Sequence, residues 1–403
     1  MITQEKVIVL AGTKSQIPLI KRLKEMGYYV ININPFENSP AFKFADEFVV
    51  EDILNKNRIL EIAKENSVIA VMSEMCDIAV PTIAYISEKL NLRGISRGLA
   101  RLYTDKFEMR KFCKINGFKY PEYSKCFSEE EVLDFFKRIE KKIIIKPLDA
   151  NSSRGVYIIC KEEDIVGIFE KVVIYSKIEK AVICEEYIEG VEFTADGIVT
   201  DKTHVTLAIS EKKHYKYNEN IACELLFTNY NNNYDYDRIR ELNDRFVNMS
   251  GLNIGITHAE YKYSNGDFYL IEIAARGGGN FIASDIVPYM SGIDIYKYLI
   301  LESTNKIVLP ELTTINHSTN KYMVLKFFDF AEANGVVKQI KGVEILENSS
   351  NVVKWDLNIK SGDTIKPIAN DSDRRGYYIL SADSISELTE VINIINDSIE
   401  III

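Results

Sequence analysis

The first hundred residues alternate short apolar runs with segments of helical periodicity. The runs 7–10 and 29–33 suit buried strands, and between them apolar residues recur every three or four positions up to Gly27, a typical helix end. A strand, a helix and a strand in this order predict a right-handed crossover within a parallel sheet. A further apolar run and a further helical pattern follow. We therefore expect an α/β domain over residues 1–102.

After residue 103 the pattern changes to apolar runs of strand length, separated by longer helical segments. The candidate strands are 143–146, 156–159 and 181–184. A second boundary falls at 309–311, beyond which short strands precede a terminal helix. We expect one region over 103–312 and a small β-rich region over 313–403, which together give a multidomain chain of mixed α/β and α+β class.

The composition is that of a globular protein. Of 403 residues, 46% are hydrophobic and 27% are charged, and 49 Lys and Arg against 59 Asp and Glu give a formal net charge of −10. These values exclude disordered and fibrous classes and argue against a broad nucleic-acid surface. No apolar run reaches the ~18 residues of a membrane span, and the N-terminus has no signal-segment pattern. Six scattered cysteines without a C-x-x-C pair fit a reducing compartment, so we expect a soluble cytoplasmic protein.

The first tight turn bears on the choice of cofactor. Residues 11–16 read AGTKSQ and lack the G-x-G-x-x-G fingerprint of dinucleotide-binding folds. The pattern therefore disfavours a nicotinamide site. A structural α/β domain, whose helix N-terminus holds at most a small anion, is the better interpretation.

Two lysines and a small-residue turn are candidates for phosphate binding. Lys146 ends a buried apolar run and precedes Pro147, where an ammonium is costly unless it meets an anion. Lys106 is the second candidate cation. The turn 152–156 can close its backbone N–H groups over phosphate oxygens. The alternative for a lysine at a strand end is a side chain that simply reaches the solvent.

Acidic residues follow the apolar run 182–184 and suggest a nucleoside site. An extended segment through Glu185, Glu186 and Ile188 would offer its backbone N–H and C=O groups to a purine edge. Glu192, about seven residues on, would then lie where a ribose needs a hydroxyl acceptor. An acidic surface turn is the alternative for this segment taken alone.

The strongest candidate site is a β-hairpin with an acid on each strand. A two-residue turn at 265–266 would place Glu260 and Glu272 on opposite faces. A three-residue loop, with Gly266 in the left-handed conformation of a bulge, would point Glu260, Glu272 and Arg276 to one side, and we expect this geometry. Two carboxylates brought together need a cation between them, and the hard ion Mg²⁺ suits their oxygen atoms. Glu272 also lies in an apolar run where a carboxylate without a role would be expensive.

The histidines and a basic segment carry less information. His258 lies two residues before Glu260, and it is either a site residue or a buried structural histidine. Lys212, Lys213 and His214 form either a basic edge of the cleft or a solvated loop, and the loop is the better interpretation.

Taken in order, these segments resemble the ATP-grasp superfamily over most of the chain. The resemblance is to its biotin-carboxylase-like branch, which includes carboxylate–amine ligases of amino acids and of the purine pathway. It implies a Rossmann-like pre-ATP-grasp domain over 1–102, a bipartite ATP-grasp domain over 103–312 and a small β-rich C-terminal domain over 313–403. The lobe at about 115–190 would close over the nucleotide as a lid.

The resemblance also implies a role for each candidate residue. Glu260 and Glu272 would hold Mg²⁺, with Mn²⁺ as an alternative ion, and Arg276 and Lys146 would act in catalysis. The implied ATP-binding residues are Lys106, Lys146, Ser153, Gly155, Glu185, Glu186, Ile188 and Glu192. Ala274 stands where many members carry a metal-binding Asn, so we expect two protein carboxylates as metal ligands.

The implied reaction joins a small carboxylic acid, with amino acids among the options, to an amine. ATP converts the acid into an acyl phosphate, which the amine captures to give ADP and phosphate. The substrate-binding candidates are Arg276, Gly278, Gly279, Asn280 and Arg375.

Two alternative functions also fit the sequence. The first is a purine-pathway-like enzyme that carboxylates or formylates a phosphorylated ribonucleotide, although Tyr377 stands where those enzymes carry a His. The second is a nucleotide-binding regulator without turnover. The expected partners are the two small substrates, without nucleic acid or membrane, and a homodimer is one open assembly.

Overall fold

The computed structural model describes residues 4–150, 154–177, 179–306, 321–330 and 334–403. Within these ranges the chain forms three large sheets and two short two-stranded ladders. One large sheet is parallel, and two are antiparallel. Helices cover the sheets, so the predicted class, a multidomain chain of mixed α/β and α+β type, is confirmed.

The strands and helices are numbered in chain order. The strands are β1 (Lys6–Leu10), β2 (Tyr29–Asn34), β3 (Glu47–Val50), β4 (Ala70–Met72), β5 (Tyr123–Cys126), β6 (Ile143–Pro147), β7 (Tyr157–Ile159), β8 (Val182–Glu186), β9 (Val191–Thr200), β10 (Thr203–Tyr215), β11 (Asn218–Thr228), β12 (Gly255–Ser264), β13 (Asp267–Ala274), β14 (Tyr322–Phe327), β15 (Gly335–Val336), β16 (Gln339–Lys341), β17 (Val352–Leu357), β18 (Thr364–Ile365), β19 (Gly376–Ala382) and β20 (Glu400–Ile402). The α-helices are α1 (Ile17–Glu25), α2 (Lys56–Glu65), α3 (Val80–Leu90), α4 (Arg97–Leu102), α5 (Lys106–Asn116), α6 (Glu129–Ile139), α7 (Ile168–Val173), α8 (Tyr236–Ser250), α9 (Val287–Ser291), α10 (Ile295–Ser303), α11 (Glu344–Asn348) and α12 (Ile385–Ser398). None of the helices in the described ranges has the length and apolarity that crossing a membrane requires.

The N-terminal sheet is parallel, in the strand order β3-β2-β1-β4. The apolar run 7–10 is fully buried in it, and α1 ends just before Gly27, whose φ of 87° is left-handed. The strand–helix–strand unit predicted from periodicity is thus present. The residues that follow β4, from 73 to 79, lead toward the cleft described below.

The second sheet is a four-stranded antiparallel layer, which we call the lid sheet, in the order β5-β8-β6-β7. Helices α6 and α7 pack on one of its faces around a core that includes Phe135, Ile145 and Val172. The sheet lies inside the lobe expected at 115–190, and β6 and β8 carry the apolar runs that end at Lys146 and Glu185.

The third sheet has eight antiparallel strands in the order β13-β12-β9-β10-β11-β14-β19-β17. The C-terminal strand β14 pairs directly with β11, with Leu225 opposite Leu325, so the sheet continues from the central region into the C-terminal region. The predicted boundary between 312 and 313 lies within 307–320, outside the described residues.

The turn of the β12–β13 hairpin differs from the prediction. Ser264 pairs with Asp267, so the loop has two residues, and both of them, Asn265 and Gly266, take positive φ values of 51° and 85°. This is the turn geometry that Asn-Gly favours between twisted strands. The expected three-residue loop is therefore wrong.

A bulge inside the hairpin brings the two acids together instead. Glu260 pairs with Glu272, whereas Tyr261 pairs with Leu270, and Ile271 is left as the extra residue. One extra residue reverses the alternation of side chains beyond it. Glu260 and Glu272 therefore lie on the same face, as predicted, but for a different physical reason.

The chain turns sharply after β13. Asn280 and Phe281 are both left-handed, with φ of 54° and 66°, and the π-helical turn Ile282–Ile286 then leads into α9. A phenylalanine with positive φ is strained and needs support from its surroundings. Lys354 on β17 supplies it: its ammonium lies 4.0 Å from the centre of the Phe281 ring and 2.6 Å from Asp285.

We predict that Asp105→Ala destabilises the fold by about 1 kcal/mol, because Asp105 caps the N-terminus of α5. Its buried carboxylate accepts from the N–H groups of Phe107 at 2.9 Å and Glu108 at 3.2 Å. For a chain of 403 residues, the melting temperature should fall by about 1 °C. Asp237→Ala, at a carboxylate that is 94% exposed, is the control, with an expected change within about 0.5 kcal/mol. Equal melting temperatures for Asp105→Ala and the wild type would contradict the capping role.

Candidate active site

A cleft of about 340 Å³ lies between the lid sheet, the eight-stranded sheet and the loop after β4. Its wall is rich in ionisable side chains. These include Asp77, Lys106, Lys146, Glu185, Glu192, Lys212, His258, Glu260, Lys262, Glu272 and Arg276. The cleft thus brings together residues that are distant in the sequence, such as Asp77 and Arg276.

The two acids of the hairpin face the cleft, with side chains 27% exposed for Glu260 and 35% exposed for Glu272. Each carboxylate meets a lysine. Lys212 Nζ lies 2.6 Å from Glu260 Oε1, and Lys106 Nζ lies 3.0 Å from Glu272 Oε1. Burial raises the pKa of Glu260, but Lys212 and His258 outweigh it and hold that pKa well below its usual range. Paired with cations, the two acids can lie side by side.

Lys106 is the first residue of α5 and is almost fully buried. Besides Glu272, its ammonium meets the carbonyl oxygen of Ala150 at 3.0 Å, on the chain that leads into the phosphate-loop candidate. Burial lowers the pKa of Lys106, but the charge of Glu272 outweighs that effect and leaves the pKa raised. The side chain therefore stays an ammonium at neutral pH.

Lys146 belongs to a buried chain of ion pairs. Its ammonium lies 2.8 Å from Glu185 Oε2, while Arg110 Nε lies 2.7 Å from Glu185 Oε1. Burial raises the pKa of Glu185, but the charges of Arg110 and Lys146 together lower it to about 2. Arg110 also donates to the carbonyl of Ile271, the bulged residue of β13. The side chain of Glu185 thus positions Lys146, whereas the predicted contact with a purine edge concerns the backbone of this segment.

The predicted purine hinge lies at the end of β8. The N–H of Glu186 donates to the carbonyl of Glu122 at 2.7 Å, and the N–H of Tyr187 donates to that of Lys142 at 3.0 Å. Both donors are therefore engaged within the lid lobe. Ile188 is buried in the cleft wall, beside the position expected for a base.

The phosphate-loop candidates are only partly described. Ser153 lies outside the described residues. Gly155 has a left-handed φ of 70°, and a Cβ there would lie 2.6 Å from Cδ2 of Tyr175, so only glycine fits. Its neighbour Val156 lines the cleft.

Glu192 and the basic segment 212–214 meet at the same wall. Lys212 Nζ lies 2.6 Å from Glu192 Oε1, and His214 Nε2 lies 3.3 Å from Glu192 Oε2. Burial raises the pKa of Glu192, whereas Lys212 and His214 bring it down to about 2. The segment 212–214 belongs to β10, so its interpretation as a solvated loop is wrong.

Arg276 follows β13 and is held by two contacts. Its Nε lies 2.9 Å from Asp77 Oδ1, and its Nη1 donates to the carbonyl of Gly277 at 2.8 Å. Burial lowers the pKa of Arg276, but Asp77 outweighs this and keeps the guanidinium charged. Gly279 and Asn280 line the cleft just beyond it.

An Asp–His pair belongs to the site but was not assigned to it from the sequence. Asp196 Oδ1 lies 2.8 Å from His258 Nδ1, and His258 Nε2 lies 3.8 Å from Glu260 Oε1. Gly278 packs against the pair, since a Cβ there would lie 2.8 Å from an atom of each. Burial lowers the pKa of His258, but Asp196 outweighs it and raises the value to about 9. The alternation 192, 194, 196 along β9 was the available signal for Asp196.

Glu74 is a second residue that the sequence analysis did not assign. The residue is fully buried, and neither of its carboxylate oxygens has a hydrogen-bond partner among the described residues. Burial raises its pKa to about 8, against the opposing charge of Arg276. A Cβ at Gly277 would lie 2.0 Å from Glu74 Oε1, so a glycine is required there. The signal was an acid two residues after a buried strand, at the carboxyl edge of a parallel sheet.

The arginines before β19 differ from the prediction. Arg375 donates to the carbonyl of Thr364 at 3.3 Å and is not part of the cleft wall. Its neighbour Arg374 lines the cleft, 2.8 Å from Asp371 and 3.7 Å from the centre of the Phe327 ring. Adjacent residues of an extended chain point to opposite sides, which explains why Arg374 and not Arg375 faces the cleft.

The carboxylates of the cleft fit a hard divalent cation whose remaining ligands come from a bound nucleotide and water. No three His, Cys, Asp or Glu side chains of the described ranges cluster closely enough to hold a metal by themselves. Glu260 and Glu272 supply two carboxylates on one face of paired strands. Mg²⁺ is commonly bound by one or two carboxylates together with substrate phosphates and water. The residues present therefore fit Mg²⁺ in company with a nucleotide.

Comparison with family models identifies two regions of the chain. Residues 139–285 match the ATP-grasp domain, and residues 327–403 match the L-amino acid ligase C-terminal domain 2. These matches confirm the resemblance inferred from the ordered motifs.

Individual relatives are distant. Formate-dependent phosphoribosylglycinamide formyltransferase of Prochlorococcus marinus strain MIT 9515 is 26% identical over 196 residues, which cover 47% of this chain and 50% of that protein. Dapdiamide A synthase of Enterobacter agglomerans is 25% identical over 141 residues, which cover 34% of this chain and 33% of that protein. These matches thus span half or less of the relatives' lengths. The crystal structure of L-amino acid ligase from Bacillus licheniformis superposes with a TM-score of 0.80 at 18% identity, covering 100% of this chain and 99% of that one, which establishes the fold.

We predict that Glu74→Gln changes the pH dependence of stability. A carboxyl whose pKa rises on folding, here from 4.5 to about 8, stabilises the fold fully below about pH 4.5, and this stabilisation is lost as the pH rises toward 8. Glutamine does not titrate, so the melting temperature of the variant relative to the wild type should increase by about 3 °C between pH 5.5 and 8.5.

Thermal unfolding across this pH range is the measurement. The control is Glu61→Gln, at a carboxylate that is 61% exposed on α2. A constant difference between Glu74→Gln and the wild type at all pH values would show that Glu74 is ionised when buried.

Proposed function

We propose that this chain, whose residues 139–285 match the ATP-grasp domain, is an ATP-dependent carboxylate–amine ligase that releases ADP and phosphate. One observation carries the proposal. Glu260 and Glu272 face each other in a cleft that also holds Lys106, Lys146 and Arg276. Phosphoryl transfer needs charge neutralisation and alignment more than covalent help, and this set supplies both.

ATP-grasp enzymes use ATP with Mg²⁺, and the residues of the cleft suit both. In the proposed complex, Lys106 and Lys146 bind phosphate oxygens, and Glu192 accepts hydrogen bonds from ribose hydroxyls. Glu260 and Glu272 are the proposed metal ligands. Bound Mg²⁺ would supply neutralisation of the negative charge on the β- and γ-phosphates.

The proposed reaction has two steps. A carboxylate oxygen of the first substrate forms a bond to the γ-phosphorus while the bond to the bridging oxygen breaks, which gives an acyl phosphate and ADP. The nitrogen of the second substrate then forms the C–N bond, phosphate leaves, and the amine loses a proton. The guanidinium of Arg276, fixed by Asp77, stabilises negative charge on the transferring group and on the acyl phosphate.

The substrate class that we propose is amino acids. The support is the match of the C-terminal region to a domain of L-amino acid ligases, together with the polar wall beyond the acids. Gly279 and Asn280 line the cleft next to Arg276 and offer backbone groups to a substrate carboxylate.

A second candidate is a ligase that acts on a phosphorylated ribonucleotide. Arg374 favours it, because its guanidinium lines the cleft and an Arg is well suited to a phosphate. The similarity to a formate-dependent phosphoribosylglycinamide formyltransferase supports the same reading. Against it, Arg374 is already paired with Asp371 and packed on Phe327.

Release of ADP and phosphate is the test of the proposed function. We predict Mg²⁺-dependent release with a pair of amino acids, drawn from a panel assayed singly and in pairs, and a loss of about 10²–10³-fold in Glu272→Gln. Asp267→Asn makes the same chemical change at the exposed start of β13 and should keep full activity.

Three outcomes separate the readings. Release stimulated by a pair of amino acids supports the proposed substrate class. Release only with aminoimidazole ribonucleotide and bicarbonate favours the second candidate. Tight binding of Mg-ATP without release in any well would contradict the ligase and point to a nucleotide-binding regulator.

A further inference from the structure

Lys212 bridges two acids that serve different purposes in the proposed site. Its ammonium lies 2.6 Å from Glu192, the proposed ribose acceptor, and 2.6 Å from Glu260, a proposed metal ligand. The side chain is only 10% exposed, and both hydrogen bonds are charge-assisted. We propose that Lys212 is the resident counter-cation of Glu260 and keeps free divalent cations off that carboxylate, so that the metal enters together with the nucleotide. This inference rests on the proposed function, since it assigns regulation to the same site.

The strand order explains how one lysine reaches both acids. Lys212 on β10 lies directly opposite Glu192 on β9, whereas Glu260 lies on β12, on the far side of β9 and opposite Thr194. The lysine must therefore extend diagonally across β9 on the cleft face of the sheet. Only a long, straight side chain spans two strand spacings of about 4.8 Å each.

The double contact makes Lys212 a tethered cation. When a metal takes Glu260, the ammonium keeps its contact with Glu192 and so stays in the cleft. The ion pair can then re-form once the metal leaves. Binding of a metal at Glu260 therefore requires a local exchange of cations and no rearrangement of the sheet.

Glu272, the second proposed metal ligand, is also paired with a lysine. Lys106 holds Glu272 at 3.0 Å, so each of the two acids already has a cation. A divalent ion arriving alone would have to displace both lysines and leave them near its own positive charge. A nucleotide changes this balance because its phosphates accept the displaced ammonium of Lys106. The pairing thus favours joint entry of metal and nucleotide over entry of metal alone.

Binding of Mn²⁺ to the full-length protein, followed by loss of the free-ion signal in electron paramagnetic resonance, tests the proposal without turnover. Without nucleotide, the wild type should bind Mn²⁺ weakly and Lys212→Met at least roughly tenfold more tightly, since a competing charge is gone. With a non-hydrolysable ATP analogue, the wild type should bind Mn²⁺ tightly.

Two variants control for charge and position. Lys212→Arg keeps the cation and should bind Mn²⁺ as weakly as the wild type. Lys213→Met removes the neighbouring lysine, whose partner Glu224 remains paired with Lys326 at 2.7 Å, and it should also match the wild type. If Lys212→Met fails to fold, Lys212→Gln, which can still donate to both acids, replaces it with the same expectation.

The outcomes distinguish this inference from the proposed function. Equal Mn²⁺ affinity of the wild type and the neutral variants without nucleotide, with tight binding in the presence of the analogue, would overturn the role of Lys212 alone. Absence of Mn²⁺ binding in every protein, with and without the analogue, would overturn the proposed metal site and the ligase with it. If Lys213→Met binds Mn²⁺ as tightly as Lys212→Met, the gain in affinity comes from the loss of any nearby positive charge, and the proposal is overturned.

Discussion

The site depends on the pairing of buried and half-buried acids with buried cations. Removing one partner of a buried ion pair typically costs about 3–5 kcal/mol, because it leaves a charge without compensation. The pairs cross between parts of the chain: Lys106 on α5 holds Glu272 on β13, and Arg110 on α5 holds Glu185 in the lid sheet. Glu185 in turn holds Lys146. The electrostatics that suit phosphate and metal therefore also fix the lid sheet against the larger sheet.

The two antiparallel sheets differ in how they are joined to the rest of the chain. The eight-stranded sheet runs without a break from β13 through β11 and β14 to β17, so the C-terminal region is part of the same layer as the proposed metal ligands Glu260 and Glu272. Among the described residues, no strand of the lid sheet pairs with the larger sheet, and the two meet through side chains such as Arg110. Relative movement is thus expected at the lid sheet, where side-chain contacts rather than strand pairing join the layers.

Sequence reasoning found the elements and charges that depend on local pattern. Strands, the helix end at Gly27 and the cations at strand ends follow from periodicity and turn chemistry, and Glu260 and Glu272 stood out as acids in apolar runs. It did not assign Lys212, whose partners lie one and two strands away, because such contacts depend on the order and register of strands that are distant in sequence. The position of the bulge was mistaken for a similar reason: a turn can be read from Asn-Gly, whereas a bulge within a strand carries no residue signature here.

The bulge at Ile271 also constrains how this segment can vary in length. Without the bulge, Glu260 would lie opposite residue 271, so deletion of one residue between 267 and 271 would remove the bulge and leave Glu272 directly opposite Glu260, on the same face. Deletion of two residues from β13 alone would move Glu272 one place further and carry it to the opposite face. Related chains that keep both acids in the cleft should therefore have a β13 arm that, relative to β12, is either as long as in this chain or one residue shorter. The difference in length between the two arms is then a criterion for judging which distant relatives retain the proposed metal-binding geometry.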